Sequence, residues 1–131
     1  MKKQLDDIMQ FHETFGCYIQ RSPGAVIPQE IKDVRQRILQ EEVDELDDAA
    51  KKEDIVAVAD ALGDIIYVAL GTVISYGLQD KFEAIFAEIH RSNMSKLDEN
   101  GKPILREDGK ILKSKLYTRP ELSGIIFDRK G

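Results

Sequence analysis

Five acidic residues carry a spacing that could do chemistry. Glu41, Glu42 and Glu45 lie in QEEVDELDD, and Asp60 and Asp64 lie in ADALGDIIYVALGTVISYG. Glu41 and Glu45 are four apart, Glu42 and Glu45 three apart, and Asp60 and Asp64 four apart. Each set therefore shares one face of a helix. Only the short link KKED, residues 51–54, separates the two stretches. On antiparallel helices joined there, Glu45 and Asp60 stand at comparable distances from the turn, as do Glu41 or Glu42 and Asp64. The two acidic faces can then oppose each other at matching heights. Carboxylates placed so repel one another unless a cation sits among them. A hard divalent ion with oxygen ligands fits that need, Mg²⁺ where phosphates complete its shell and Mn²⁺ as the alternative.

A plainer reading competes with this one. Glu41, Asp44, Asp47 and Asp48 are equally compatible with a solvated acidic face. Asp60 and Asp64 fit that reading less well, because Val58, Leu62, Ile65 and Ile66 surround them in sequence, and a buried unpaired charge is costly. Their structural alternative is an ion pair with Arg35, Arg37 or a subunit partner. A carboxylate-bridged di-iron bundle needs Glu-x-x-His on two helices. The chain has only His12 and His90, and His90 follows Glu88 by two.

The elements that must hold these residues read as helices. Leu5, Ile8, Met9, Phe11, Phe15 and Ile19 recur at roughly helical spacing. Pro23-Gly24 breaks that pattern, and Pro28 opens a second helix running to about Ala50. Its apolar stripe is Ile31, Val34, Ile38, Leu39, Val43 and Leu46. Asp54 is placed to cap a third helix ending near Tyr76, with Gly77 as its stop. The short link packs the second and third helices antiparallel. Asp80 is expected to cap a fourth helix, KFEAIFAEIHRSNMSKL. Beyond Leu97 the turn signals Asn100-Gly101 and Asp108-Gly109 predict a small hairpin or ordered loop, and the end reads as irregular or extended. The expectation is one all-α domain: a helical catalytic bundle over residues 1–97 with a C-terminal extension over 98–131. The third helix is apolar nearly all round and must be covered on most sides, which points to oligomerisation.

The 131 residues suit a single core. Hydrophobic content of 42% with 33% charged residues reads as soluble and globular. One cysteine, Cys17, excludes an intrachain disulfide framework and suits a reducing cytoplasm. The N-terminus lacks the apolar run of a signal peptide, and Asp60 and Asp64 argue against a membrane span in the third helix. Net charge is −5. Residues 1–90 hold nine Lys/Arg against eighteen Asp/Glu, and residues 91–131 hold ten against six. An acidic body with a basic tail does not look like a general nucleic-acid binder.

EEVDE at 41–45 followed by DALGDIIYVALG at 60–71 resembles the all-α nucleoside triphosphate pyrophosphohydrolases, the MazG-like enzymes related to phosphoribosyl-ATP pyrophosphohydrolase. Their signature is EExxE on one helix and ExxD on the next. Glu41, Glu42 and Glu45 match the first part and Asp64 the final Asp, whereas the first position of ExxD falls on Ala61. Asp60, one residue earlier, is the available substitute. HRSNMSKL at 90–97 with the following DGK resembles a branch acting on nucleotides, and the similarity spans roughly residues 5–120.

The resemblance implies a MazG-like bundle of four to five helices, dimeric or tetrameric. It implies Mg²⁺-dependent hydrolysis of a nucleoside triphosphate between the α and β phosphates, in house-cleaning of nucleotides including dUTP. Glu42, Glu45, Asp60 and Asp64 would hold the metal, and Glu41 or Glu42 would act as general base. Arg91, Lys96, Lys110 and Lys113 are candidate phosphate contacts. Asn93 could read a base edge, and His12 could help line a base pocket or be structural. Two readings compete: hydrolysis of phosphoribosyl-ATP, and a non-enzymatic helical dimer whose acidic face binds a basic partner.

Overall fold

The computed structural model describes residues 1–127; residues 128–131, the end of the stretch expected to be irregular or extended, lie outside the described residues. The protein is mostly helical. In chain order it has α1 (Lys2–Phe15), α2 (Gln29–Lys51), α3 (Ile55–Ser75), α4 (Phe82–Met94), β1 (Ile104–Leu105), β2 (Ile111–Leu112) and α5 (Ser123–Ile126). It divides into two compact units, Met1–Asp80 and Lys81–Gly131.

In the first unit, α3 is the central helix, packed against both α2 and α1. Its start is fixed by Asp54, whose side chain accepts from the backbone N–H of Val56 at 3.1 Å and of Ala57 at 3.2 Å. That satisfies two of the orphan donors at a helix N-terminus. Its end is a Schellman motif: the N–H of Gly77 bonds the Ile74 carbonyl and the N–H of Leu78 bonds the Val73 carbonyl. Gly77 has φ +72°, and a Cβ there would overlap the backbone of Ser22. Both its conformation and its crowding demand glycine.

The core of this unit is Leu5, Ile8, Ile27, Ala49, Ala61, Leu70, Val73 and Ile74. It buries only one side of α3. Leu62, Ile66 and Tyr67 are 46%, 58% and 42% exposed, and Phe15 of α1 is 69% exposed. Phe11 stacks against Phe15 at 4.5 Å and meets Tyr67 edge-on at 5.5 Å. Among the described residues α3 is the one helix long and apolar enough to cross a membrane by length and composition, at a mean hydropathy of 1.7.

In the second unit, α4 starts at Phe82 with Lys81 at the capping position and no side-chain cap. The cap expected from Asp80 does not form, because residues 79–81 are still in a turn. The hairpin is present: Ile104 pairs with Leu112 and Leu105 with Ile111, antiparallel. Asp108-Gly109 makes its turn, with Gly109 at φ +86°. Asn100-Gly101 makes a separate turn before it, held by Asp98 Oδ1, which accepts from the N–H of Asn100 and Lys102 at 2.9 Å each. The end, expected to be irregular or extended, is irregular as far as Leu122, and Ser123–Ile126 then form the short α5 against α4.

Candidate metal centre

The site is made where α2 and α3 face each other across their short connection. Lys52 to Asp54 turn the chain, with the Asp54 N–H bonded to the Ala49 carbonyl at 3.3 Å. From that fixed point the two helices run back alongside each other. Glu42 stands in the stripe of α2 that carries Ile38, Leu39, Leu46 and Ala49, and this stripe faces α3. Glu45 follows one turn later.

Glu42, Glu45 and Asp64 each present a carboxylate oxygen, and these three oxygens lie within 4.8 Å of one another. Glu42 and Asp64 are partly buried, Glu45 exposed. Glu42 Oε2 is buried and has no hydrogen-bond partner. Among the described residues no Lys, Arg or His comes within ion-pair distance of these three groups or of Asp60. Arg35, which could have paired with the aspartates, turns elsewhere.

The electrostatic consequence falls on Glu42. Its carboxyl is held above the usual carboxylate range, first by desolvation and then by the charges of Glu45 and Asp64. A hydrogen bond that its protonated form makes with Glu45 and the charge of Asp60 push the same way. Three mutually repelling oxygens and one buried unpartnered lone pair are the donor set that a hard divalent cation satisfies. The residues present fit such an ion.

The other sequence candidates are placed differently. Asp60 is exposed and outside the trio, though near enough to act on Glu42. Ala61, the departure from ExxD, is buried at 2%. Glu41 is exposed and lines a groove formed by α2 alone, with Asp33, Gln36, Arg37, Gln40 and Asp44. His12 is 2% exposed, in the core of the first unit, and its Nδ1 bonds the Tyr18 carbonyl at 3.0 Å. Burial lowers its pKa first, against the opposing effect of that bond, with the charge of Arg35 adding to the lowering. The signal was in the sequence: His12 continues the buried stripe Leu5, Ile8 at spacing three and four.

In the second unit Arg91 is spent on structure. It pairs with Glu88, Nε to Oε1 at 2.6 Å, and its Nη1 donates to Thr118 Oγ1 at 2.7 Å. Its Nη2 also reaches the Arg119 carbonyl at 3.2 Å. Ser92 Oγ donates to the Thr118 carbonyl at 2.9 Å, and Glu88 Oε2 accepts from the Glu121 N–H at 2.7 Å. Together these bonds hold residues 118–121 on α4. Asn93, Lys110 and Lys113 are exposed and Lys96 partly so. The Lys113 ammonium lies 4.8 Å over the Tyr117 ring.

Arg35, the alternative ion-pair partner of the aspartates, meets other groups of α3 instead. Its Nε donates to Thr72 Oγ1 at 3.1 Å and its Nη2 to the Val68 carbonyl at 2.7 Å. Both acceptors belong to α3, beyond Asp64.

A family model described as phosphoribosyl-ATP pyrophosphohydrolase matches residues 8–93. That stretch contains every carboxylate of the cluster and ends on Asn93. Among curated proteins none matches the chain.

Proposed function

Because this chain belongs to the phosphoribosyl-ATP pyrophosphohydrolase family, within the MazG-like all-α nucleoside triphosphate pyrophosphohydrolases, we propose that it hydrolyses a nucleoside triphosphate between the α and β phosphates. It is a pyrophosphohydrolase acting on a nucleotide. The finer reading is that the substrate is a nucleoside triphosphate, deoxynucleotides such as dUTP included. Its products are the monophosphate and pyrophosphate. The observation that carries the reading is the set of three carboxylate oxygens within 4.8 Å, one member of which has a buried oxygen without a partner.

Glu42, Glu45 and Asp64 would hold Mg²⁺ or Mn²⁺, with Asp60 adding charge from the next turn. Bound there, the ion supplies neutralisation of phosphate charge and acidification of water. The chain's own part is to position and to accept a proton. Glu42, which has a second carboxylate oxygen to offer beside the one facing the ion, is the proposed base for the attacking water. Glu41, on the α2 groove, is the comparison residue. Asn93, Lys96, Lys110 and Lys113 are proposed nucleotide contacts, whereas the bonds made by Arg91 and His12 suit support of the fold. A homodimer or tetramer that covers Leu62, Ile66, Tyr67 and Phe15 is part of the same reading, as is a cytoplasmic location.

A second reading, phosphoribosyl-ATP as substrate, is favoured by the description of the matching family. One experiment separates the two. Pyrophosphate release is measured from NTPs, dNTPs and phosphoribosyl-ATP, with and without Mg²⁺, for wild type, Glu42→Gln and Glu41→Gln. Metal-dependent release from an NTP or dNTP, lost in Glu42→Gln and retained in Glu41→Gln, is the expected result. Turnover of phosphoribosyl-ATP alone would replace the first reading with the second. No turnover of any nucleotide would overturn both and return attention to a basic protein partner for the acidic face.

A further inference from the structure

Arg35 is a half-buried cation that shares a helix with an unneutralised acidic cluster and pairs with none of it. An arginine placed for charge balance would have turned toward Glu42, seven residues on along the same stripe. Instead its fork is fixed at two points on α3, the Val68 carbonyl and the Thr72 hydroxyl. Thr72 is itself tied back to the Val68 carbonyl at 3.3 Å. A planar guanidinium with two such bonds fixes both the rotation and the height of one helix against another. Packed aliphatic side chains alone do so less sharply, and setting register is the best-attested use of buried polar groups.

The heights agree with that role. Glu42 lies about 10 Å along α2 from Arg35, and Asp64 lies between about 6 and 12 Å along α3 from Val68 and Thr72, at about 1.5 Å per residue. The acidic cluster is thus held between two fixed points, the turn at Lys52–Asp54 and the bonds of Arg35. A second observation supports the placement. A Cβ on Gly71 would fall inside contact distance of Arg35 Nη2 and 3.1 Å from its Cζ. Glycine inside a helix costs about 1 kcal/mol relative to alanine, and at this position it makes room for the guanidinium.

We propose that Arg35 is a positioning residue that sets Glu42 and Glu45 at the height of Asp64, so that the cluster binds its divalent ion as one site. This inference rests on the metal reading above. The test is Mn²⁺ affinity, by titration calorimetry with Mn²⁺ alone, for wild type, Arg35→Lys, Arg35→Met and Thr72→Val, beside thermal melts of each. The expected result is an affinity for Mn²⁺ at least about tenfold weaker in folded Arg35→Met, with Thr72→Val and Arg35→Lys between it and wild type. A purely structural arginine would lower the melting temperature and leave Mn²⁺ affinity of the folded protein within twofold of wild type, which would overturn the proposal. If Arg35→Met does not fold, the same criterion applies to Thr72→Val and Arg35→Lys. Failure of wild type itself to bind Mn²⁺ would overturn the metal reading, a result distinguishable from equal binding by all four proteins.

Discussion

Glu42 and Glu88 are the same residue on helices of similar make, in opposite circumstances. Glu88 accepts from Nε and Nη2 of Arg91 and from the Glu121 N–H, and these bonds, those from Arg91 foremost, draw its carboxyl down to about 2. Glu42 has Glu45 and Asp64 as neighbours, an oxygen with no partner, and a carboxyl pushed up. The first arrangement ties residues 118–121 to α4. The second stores repulsion that the fold gains nothing by keeping. Local stability explains Glu88 fully and Glu42 not at all, and that difference is what makes the α2–α3 cluster the candidate site.

The strongest way to break this comparison is to neutralise each acid in turn. Glu42→Gln is expected to reduce pyrophosphate release by about 10²-fold or more, the scale of a lost general base, with a melting temperature equal to or above that of wild type. Glu88→Gln is expected to lower the melting temperature while leaving the Mn²⁺ affinity of the folded protein unchanged. Steady-state assays, melts and Mn²⁺ titration on the two variants check both. A destabilised Glu42→Gln would mean that the cluster supports the fold and the contrast fails.

Metal addition sharpens the contrast next. A cation that binds only the folded cluster stabilises by about 2.7 kcal/mol at a hundred times its dissociation constant. Mg²⁺ or Mn²⁺ is therefore expected to raise the melting temperature of wild type by several degrees. EDTA should reverse the shift, Glu42→Gln should lose it and Glu88→Gln should keep it.

Acidity should move the two regions in opposite directions. The folded-state pKa of Glu42 is raised, so its contribution to metal-free stability is fully present below the unfolded value and is lost as pH rises through the folded one. The folded-state pKa of Glu88 is depressed to about 2, so its contribution is present above the unfolded value and is lost as pH falls toward about 2. Denaturant melts across pH should show stability gained on mild acidification and lost on strong acidification. Glu42→Gln removes the first limb and Glu88→Gln the second.

The contrast also bears on what could be read in advance. α2, α3, the Asp54 cap, the Gly77 stop and the hairpin were legible because each is decided by local residues; α1 was legible too, except that it ends at Phe15 on the left-handed Gly16 and does not run on through Ile19 to Pro23-Gly24. Antiparallel packing of α2 on α3 followed from the four-residue link and brought Glu42, Glu45 and Asp64 to one place in expectation. What was not legible depended on direction or on distant partners. Spacing alone allows Glu41 or Glu42 to face α3; the packing of α2, which partly buries Glu42 and leaves Glu41 exposed, decides for Glu42. Asp60 shares a helix face with Asp64 but stands outside the trio, since the core takes Ala61. The commitment of Arg91 to Thr118 and Arg119 needs a chain reversal that no local signal announces, and so does the reach of Arg35 to Val68 and Thr72. The missing Asp80 cap shows the limit of a good capping residue when the turn before it runs one residue longer.

The smallest expected effect tests whether the site and the fold are separable at the turn they share. Asp54 accepts from Val56 and Ala57, and removing such a cap costs about 1 kcal/mol. Asp54→Ala should therefore lower the melting temperature by a few degrees. Its effect on the site depends on what holds the register of α2 and α3. With the Arg35 bonds intact at the far end, fraying of the first turn of α3 leaves Asp64, ten residues later, at its height. Mn²⁺ affinity of the folded variant should then stay within about twofold of wild type. If it falls in step with stability, the turn rather than Arg35 sets the register, and the cluster is only as well placed as the cap beside it.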